Sequence, residues 1–295
     1  MLLRTLVSRA AGAAAAVALT LTLAPTAVPA AAPASTAPRL ALASVVSATS
    51  LKGQDVSWPQ CPKGMGRGKG EPIPENTPYV SGTTTTVIGV NQGKPFYANP
   101  CLKTLVAWAK AHHQYVAAYT LPAPPTSAEL SRWGTAGPYR GTDTVTRMRN
   151  NGYVQATWTV ANIHAQGFAP TFIWLDVEPL VLRTWGTTTA AKRNNWAVIQ
   201  GMQLGFAGAG IRTGFYSTNR FWTQIVGSAR TTSPMWAAYS VSSRSAALSR
   251  CSYPQASGGP VAMVQFYHFA PLVDQDVSCA RMTSLGGVGA FFIKY

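Results

Sequence analysis

Short apolar runs recur along this chain and set what it can fold into. One surrounds Asp55, and Val87-Ile88-Gly89-Val90 and Tyr115-Val116-Ala117-Ala118-Tyr119 follow. Next come Thr171-Phe172-Ile173-Trp174-Leu175-Asp176, Thr213-Gly214-Phe215-Tyr216-Ser217, Met235-Trp236-Ala237-Ala238-Tyr239 and Ala262-Met263-Val264-Gln265-Phe266, with Gly289-Ala290-Phe291-Phe292-Ile293 as an eighth candidate. The runs are continuous more than alternating, which suits strands buried on both faces. Helical faces fit between several of them: Leu102, Leu105, Val106 and Ala109; Val154, Trp158, Ala161 and Ala165; and Trp196, Ile199, Gln203 and Phe206, in a helix stopped by Gly208-Ala209-Gly210. Strand–helix alternation predicts an α/β fold with a parallel sheet, open or closed. After residue 215 the gaps shorten and helical periodicity weakens, so the last quarter is expected to be antiparallel or irregular.

Ahead of these runs lies a different kind of sequence. Residues 1–30 read as a secretory signal: Arg4 and Arg9, an Ala/Leu/Val core broken by Pro25, then a small-residue cleavage site at Val28-Pro29-Ala30, with Ala41-Leu42-Ala43 as a later option. Residues 31–50, rich in Ala, Pro, Ser and Thr, read as a disordered linker, and residues 51–295 as one domain. The expected location is extracellular or cell wall-associated, with no membrane anchor left after cleavage and a monomeric state. Four cysteines in an exported chain suggest two disulfides; of three possible pairings, Cys61–Cys101 with Cys251–Cys279 closes the shortest loops. Lys63 to Pro74 reads as a surface loop, and Ser240 to Ser252 as a loop or short helix.

The chain carries 24 Lys and Arg against nine Asp and Glu, a formal net charge of +15. The basic residues are scattered and form no block of the kind that binds nucleic acid. Their sum suits an anionic cell-wall polymer, or solubility alone. The carboxylates, in contrast, are concentrated: five of the nine lie in three short apolar stretches, at Asp55, at Asp176 and Glu178, and at Asp274 and Asp276. Burying ionised groups is costly unless they are paired or used. On a strand, Asp176 and Glu178 would point to the same side, roughly 6–7 Å apart along the chain. Neighbouring acids push each other's proton affinity up, and a protonated acid beside a carboxylate is the equipment of glycoside hydrolysis. Pro179 ends the strand and places the pair at its C-terminal rim. The same pattern also fits a helix cap or an ion pair. The histidines His112, His113, His164 and His268 have no triad or metal spacing, and Gly-x-Ser-x-Gly and Gly-x-Gly-x-x-Gly are both missing. No metal or organic cofactor is expected.

From these residues the chain resembles the glycoside hydrolase family 25 lysozymes, the Chalaropsis-type muramidases. The matching segments come in order: Asp55-Val56-Ser57-Trp58-Pro59-Gln60; Phe172 to Glu178; Gly214-Phe215-Tyr216-Ser217 followed by Phe221-Trp222; Trp236-Ala237-Ala238-Tyr239; and Gln265 followed by Val273 to Val277. The resemblance implies a modified TIM-like β/α barrel cleaving peptidoglycan between N-acetylmuramic acid and N-acetylglucosamine. It implies Glu178 as the general acid and Asp176 as its partner, with Asp55, Asp276 and Gln265 lining the cleft. Tyr119, Tyr216, Trp236 and Tyr239 would contact sugars, although each also suits core packing. The chain departs from the family pattern at Gln92, where an acid is usual, at Thr120-Leu121, where a histidine usually follows the tyrosine, and in its Trp58-Pro59-Gln60 order. A non-catalytic wall-binding module and a hydrolase of another exported polysaccharide therefore stand as alternatives.

Overall fold

The computed structural model describes residues 51–62, 65, 80–179, 183–266 and 273–295. The signal and linker segments, residues 1–30 and 31–50, lie outside these, as do most of the Lys63 to Pro74 loop and His268.

Seven strands form where the apolar runs lie: β1 (Lys52–Val56), β2 (Thr85–Gly89), β3 (Tyr115–Thr120), β4 (Phe172–Asp176), β5 (Arg212–Ser217), β6 (Met235–Tyr239) and β7 (Val261–Phe266). Neighbours in this series pair in parallel. The eighth barrel strand is β8 (Asp274–Ser278), which runs antiparallel to both β7 and β1 and closes the barrel. The chain therefore folds as a closed, mixed, TIM-like α/β barrel.

The run at residues 289–293 is not that strand. Its first residues form a 3-10 turn (Val288–Ala290), and only the two-residue β9 (Ile293–Lys294) joins the sheet, antiparallel to the start of β3. The apolar character there serves a plug. Phe291 stacks on Trp174 at 5.8 Å between centroids and meets Phe172 at 4.8 Å, so the end of the chain fills the barrel floor. Arg212 reaches across to donate to the Ala290 carbonyl.

Helices α1 (Leu102–Ala111), α2 (Ser127–Trp133), α3 (Thr144–Ala165), α4 (Thr189–Gly208) and α5 (Asn219–Val226) surround the barrel, with short α6 (Arg244–Ser249) and α7 (Arg281–Ser284) towards the end. Side-chain caps start most of them: Thr126, Asp143, Thr188, Thr218 and Ser243 each accept from a backbone N–H in the first turn. The buried side of α1 is the expected one. That of α3 is not: it buries Asn150, Asn151, Gln155 and Thr159, while Val154 and Trp158 are half-buried and Ala161 and Ala165 exposed. These amides satisfy loop backbone. Gln155 both donates to and accepts from Ala123, and Asn150 does the same for Tyr139. The two disulfides are Cys61–Cys101 and Cys251–Cys279.

Candidate active site

The parallel strands put their C-terminal ends, and β8 its N-terminal end, at one mouth. Alternation along β4 aims Phe172, Trp174 and Asp176 into the barrel, and Glu178 follows with the same parity. The register sets the remaining acids around the ring: Asp55 sits opposite Asp274, Gly53 opposite Asp276, and Gln265 opposite Asp276. Glycines at inward-facing positions make the packing possible. At Gly214 a Cβ would lie 2.5 Å from the Trp174 ring, and at Gly89 it would lie 2.7 Å from the Tyr119 ring.

Trp236 is the layer below the mouth. It is 1% exposed, meets Tyr216 edge-on at 4.6 Å and Tyr119 at 6.0 Å, and donates from Nε1 to Asp276 at 2.8 Å. Asp276, also 1% exposed, is thus a buried partner of the indole. Neither reaches the surface of the cleft. Above them, the Tyr216 hydroxyl donates to Gln265 Oε1 at 2.7 Å, and Gln265 Nε2 donates to Asp55 Oδ2 at 2.9 Å. A cleft of about 780 Å3 opens beside this relay, lined by Tyr216, Tyr239, Gln265 and Asp274 together with Thr218 and the 240–242 segment. That volume suits a small organic ligand, for which pockets run roughly 300–1,000 Å3. Tyr239 points away from the barrel axis; its hydroxyl accepts from Gln255 and its ring meets Tyr253 edge-on. It reaches the cleft as a rim residue.

All five acids take up protons more readily than free carboxylates. Among the described residues none of them has an ion-pair partner. Burial raises Asp176 most simply, helped by Glu178 and Asp55; it is 5% exposed and its Oδ1 has no hydrogen-bond partner among the described residues. Burial and the charge of Asp274 push Glu178 up to about 7. Asp55 and Asp276 are also raised by burial, against the N–H donors from Gln265 and Trp236. Asp274 is half-buried and is raised by burial alone. Like charges this close repel, so burial and mutual repulsion together favour the protonated forms across the cluster.

Asp274 is the member that motif reasoning passed over in favour of Asp276. The register tells them apart: Asp274 stands at the mouth across from Asp55, and Asp276 lies one layer down. Its signal in the sequence was the two-residue spacing itself, since both face inward and the one nearer the mouth faces solvent. Gln92 lies in a loop closed by the Asn91–Ala98 bridge, and Asn91 exchanges hydrogen bonds with the Leu121 backbone. The described residues contain no group of His, Cys, Asp or Glu arranged to hold a metal ion.

An acid-lined mouth on a closed β/α barrel is the general form of a barrel glycosidase. The fold is similar to that of solved muramidases. The muramidase from Acremonium alcalophilum matches with a TM-score of 0.50 and 15% identity, over 81% of this chain and 99% of its own. Also similar are the muramidase from Trichobolus zukalii (TM-score 0.49, 16% identity, 81% and 99% covered) and the family GH25 lysozyme from Aspergillus fumigatus (TM-score 0.49, 16% identity, 82% and 100% covered). No protein-family profile matches the sequence, and no curated protein matches it. At this identity the likeness is one of fold alone.

Proposed function

We propose that this protein is a secreted muramidase-like glycoside hydrolase that cleaves peptidoglycan between N-acetylmuramic acid and N-acetylglucosamine. The observation that carries the reading is Glu178: a half-buried acid at a barrel mouth, across from Asp274, with its proton affinity raised to about 7. It holds a proton at mildly acidic pH and can deliver it. In this reaction Glu178 gives its proton to the glycosidic oxygen as the bond from that oxygen to the anomeric carbon breaks. Asp176 steers the substrate acetamido group or stabilises the positive charge that develops on the sugar. Water supplies the oxygen that ends on the anomeric carbon. Asp55 and Asp274 frame the position of the reacting sugar, Tyr119 and Tyr216 face it from either side, and Tyr239 contacts a neighbouring unit at the rim. Trp236 and Asp276 support this layer from below.

Two disulfides suit an oxidising compartment. The positive net charge draws the protein to an anionic wall while its mouth remains acidic. The test is release of muropeptides from purified peptidoglycan by the protein from residue 51 onward. Glu178→Gln is expected to reduce release by at least ~100-fold, the usual contribution of a general acid. Equal release by wild type and variant removes Glu178 from the role. Gln92 and Thr120-Leu121, where an acid and a histidine are usual in the family, favour a second reading as a binding module. Pull-down of peptidoglycan without product release would support it.

A further inference from the structure

The segment that follows Glu178 is anchored at points the chemistry above does not use. Trp185, which is 4% exposed and packed in the core outside the barrel, donates from Nε1 to the Glu178 carbonyl at 3.0 Å. Arg183 forms a two-pronged ion pair with Glu129 on α2, 2.6 Å on each prong, and also donates to the Pro124 carbonyl at 3.3 Å. Glu129 is itself held in place, because its carboxylate accepts from the Thr126 backbone at the start of α2. The loop from Leu121 to Pro124 is in turn clamped by Asn91 and Gln155. A rigid loop behind β3 thus grips the chain just after β4, and an indole grips the main chain of Glu178 itself. A fork of this kind is stiff because guanidinium and carboxylate match in plane and spacing.

We infer that Trp185, with Arg183 and Glu129 behind it, positions Glu178, fixing how deeply its carboxyl sits among the other acids of the mouth. This rests on the reading of Glu178 as the acid of a glycosidase. The groups facing Glu178 are Asp176 from the end of β4, Asp55 from β1, Tyr119 from β3, Tyr216 from β5 and Asp274 from β8. Freed from its anchor, the carboxyl moves toward water and titrates nearer the ordinary glutamate range. Misplacing a catalytic group by about 1 Å can lower turnover on the order of 100-fold.

Two variants test this. Trp185→Phe keeps the bulk and removes the N–H; Glu129→Gln opens the fork without touching the core. Two measurements are made on each: kcat and KM for peptidoglycan across pH, and the titration of the Glu178 carboxyl by carbon-detected NMR, which needs no activity. In both variants kcat is expected to fall about 10- to 100-fold with KM unchanged, while the Glu178 titration moves down from about 7. Glu129→Lys, which repels Arg183, should shift both further. Wild-type kcat and an unmoved Glu178 titration in folded Glu129→Gln and Trp185→Phe overturn the inference. If the wild type cleaves no glycan but the titration still moves in the variants, the positioning role stands and the muramidase reading falls.

Discussion

At the level of single residues, every described acid has a use. Asp143 caps α3, Glu129 completes the capping of α2 and holds Arg183, and the other five cluster at the mouth and just beneath it. Gln265 is the neutral hinge of that cluster. Because the Tyr216 hydroxyl donates to its oxygen, its NH2 must face Asp55, where it favours the ionised form. Gln265→Glu removes that donor and adds a sixth acid. It should cost about 1–3 kcal/mol of stability at pH 7 and recover most of this near pH 4.5, as measured by urea unfolding at both values. This pairing was legible only as a coincidence of motifs. The sequence placed Gln265 and Asp55 far apart, and nothing in either segment says that β8 lies between their strands.

At the level of elements, the long apolar strands read easily because burial on both faces leaves an unbroken hydrophobic run. β8 did not, because Asp274 at the mouth and Asp276 beneath it both face inward and make the strand look polar. The run at 289–293 misled for the opposite reason: Phe291 and Phe292 are apolar because they plug the barrel floor. The face of α3 was missed because its burial is polar, spent on hydrogen bonds to loop backbone. Its seam with α4 was also invisible. There the two backbones touch: a Cβ on Gly201 would lie 1.9 Å from the Arg149 carbonyl oxygen, and one on Gly152 equally close, 1.9 Å, to that of Val198. Gly201→Ala should therefore lower stability by about 1–3 kcal/mol through overpacking. Gly208→Ala, at the exposed end of α4 with nothing near its missing Cβ, should be neutral or gain up to ~1 kcal/mol. Thermal unfolding of the pair separates close packing from helix propensity.

At the level of the whole molecule, the protein sets an acidic mouth in a strongly basic body, and pH acts on the acids inside and outside that mouth with opposite sign. The five mouth acids have raised proton affinity in the folded state, so folding binds protons. Their contribution is complete below the ordinary carboxylate range and is lost as pH rises through their folded values, which for Glu178 means about 7. The slope is about 1.4 kcal/mol per pH unit for each extra proton bound. Glu129 and Asp143 are shifted the other way, and what they add is lost only as pH falls below the ordinary carboxylate range. Stability should therefore peak in mildly acidic solution and fall from pH 5 to pH 8, with a shallower fall in Glu178→Gln. A Tm that rises steadily to pH 8 contradicts this account of the mouth.

The sequence by itself determined where seven of the strands lie, the α/β class and the concentration of acid in three segments, because each follows from neighbours along the chain. It favoured the disulfide pairing with the shortest loops. It read the last quarter as antiparallel or irregular, where β6 and β7 are parallel and, among the described residues, only β8 and the short β9 are antiparallel. Only the tertiary structure decided that an acid-bearing antiparallel strand closes the barrel, that Asp274 and not Asp276 stands at the open mouth, and that Trp236 packs beneath it. Those outcomes depend on register around a closed ring, where one residue of shift turns a side chain from the mouth to the outside, and no local pattern carries that information.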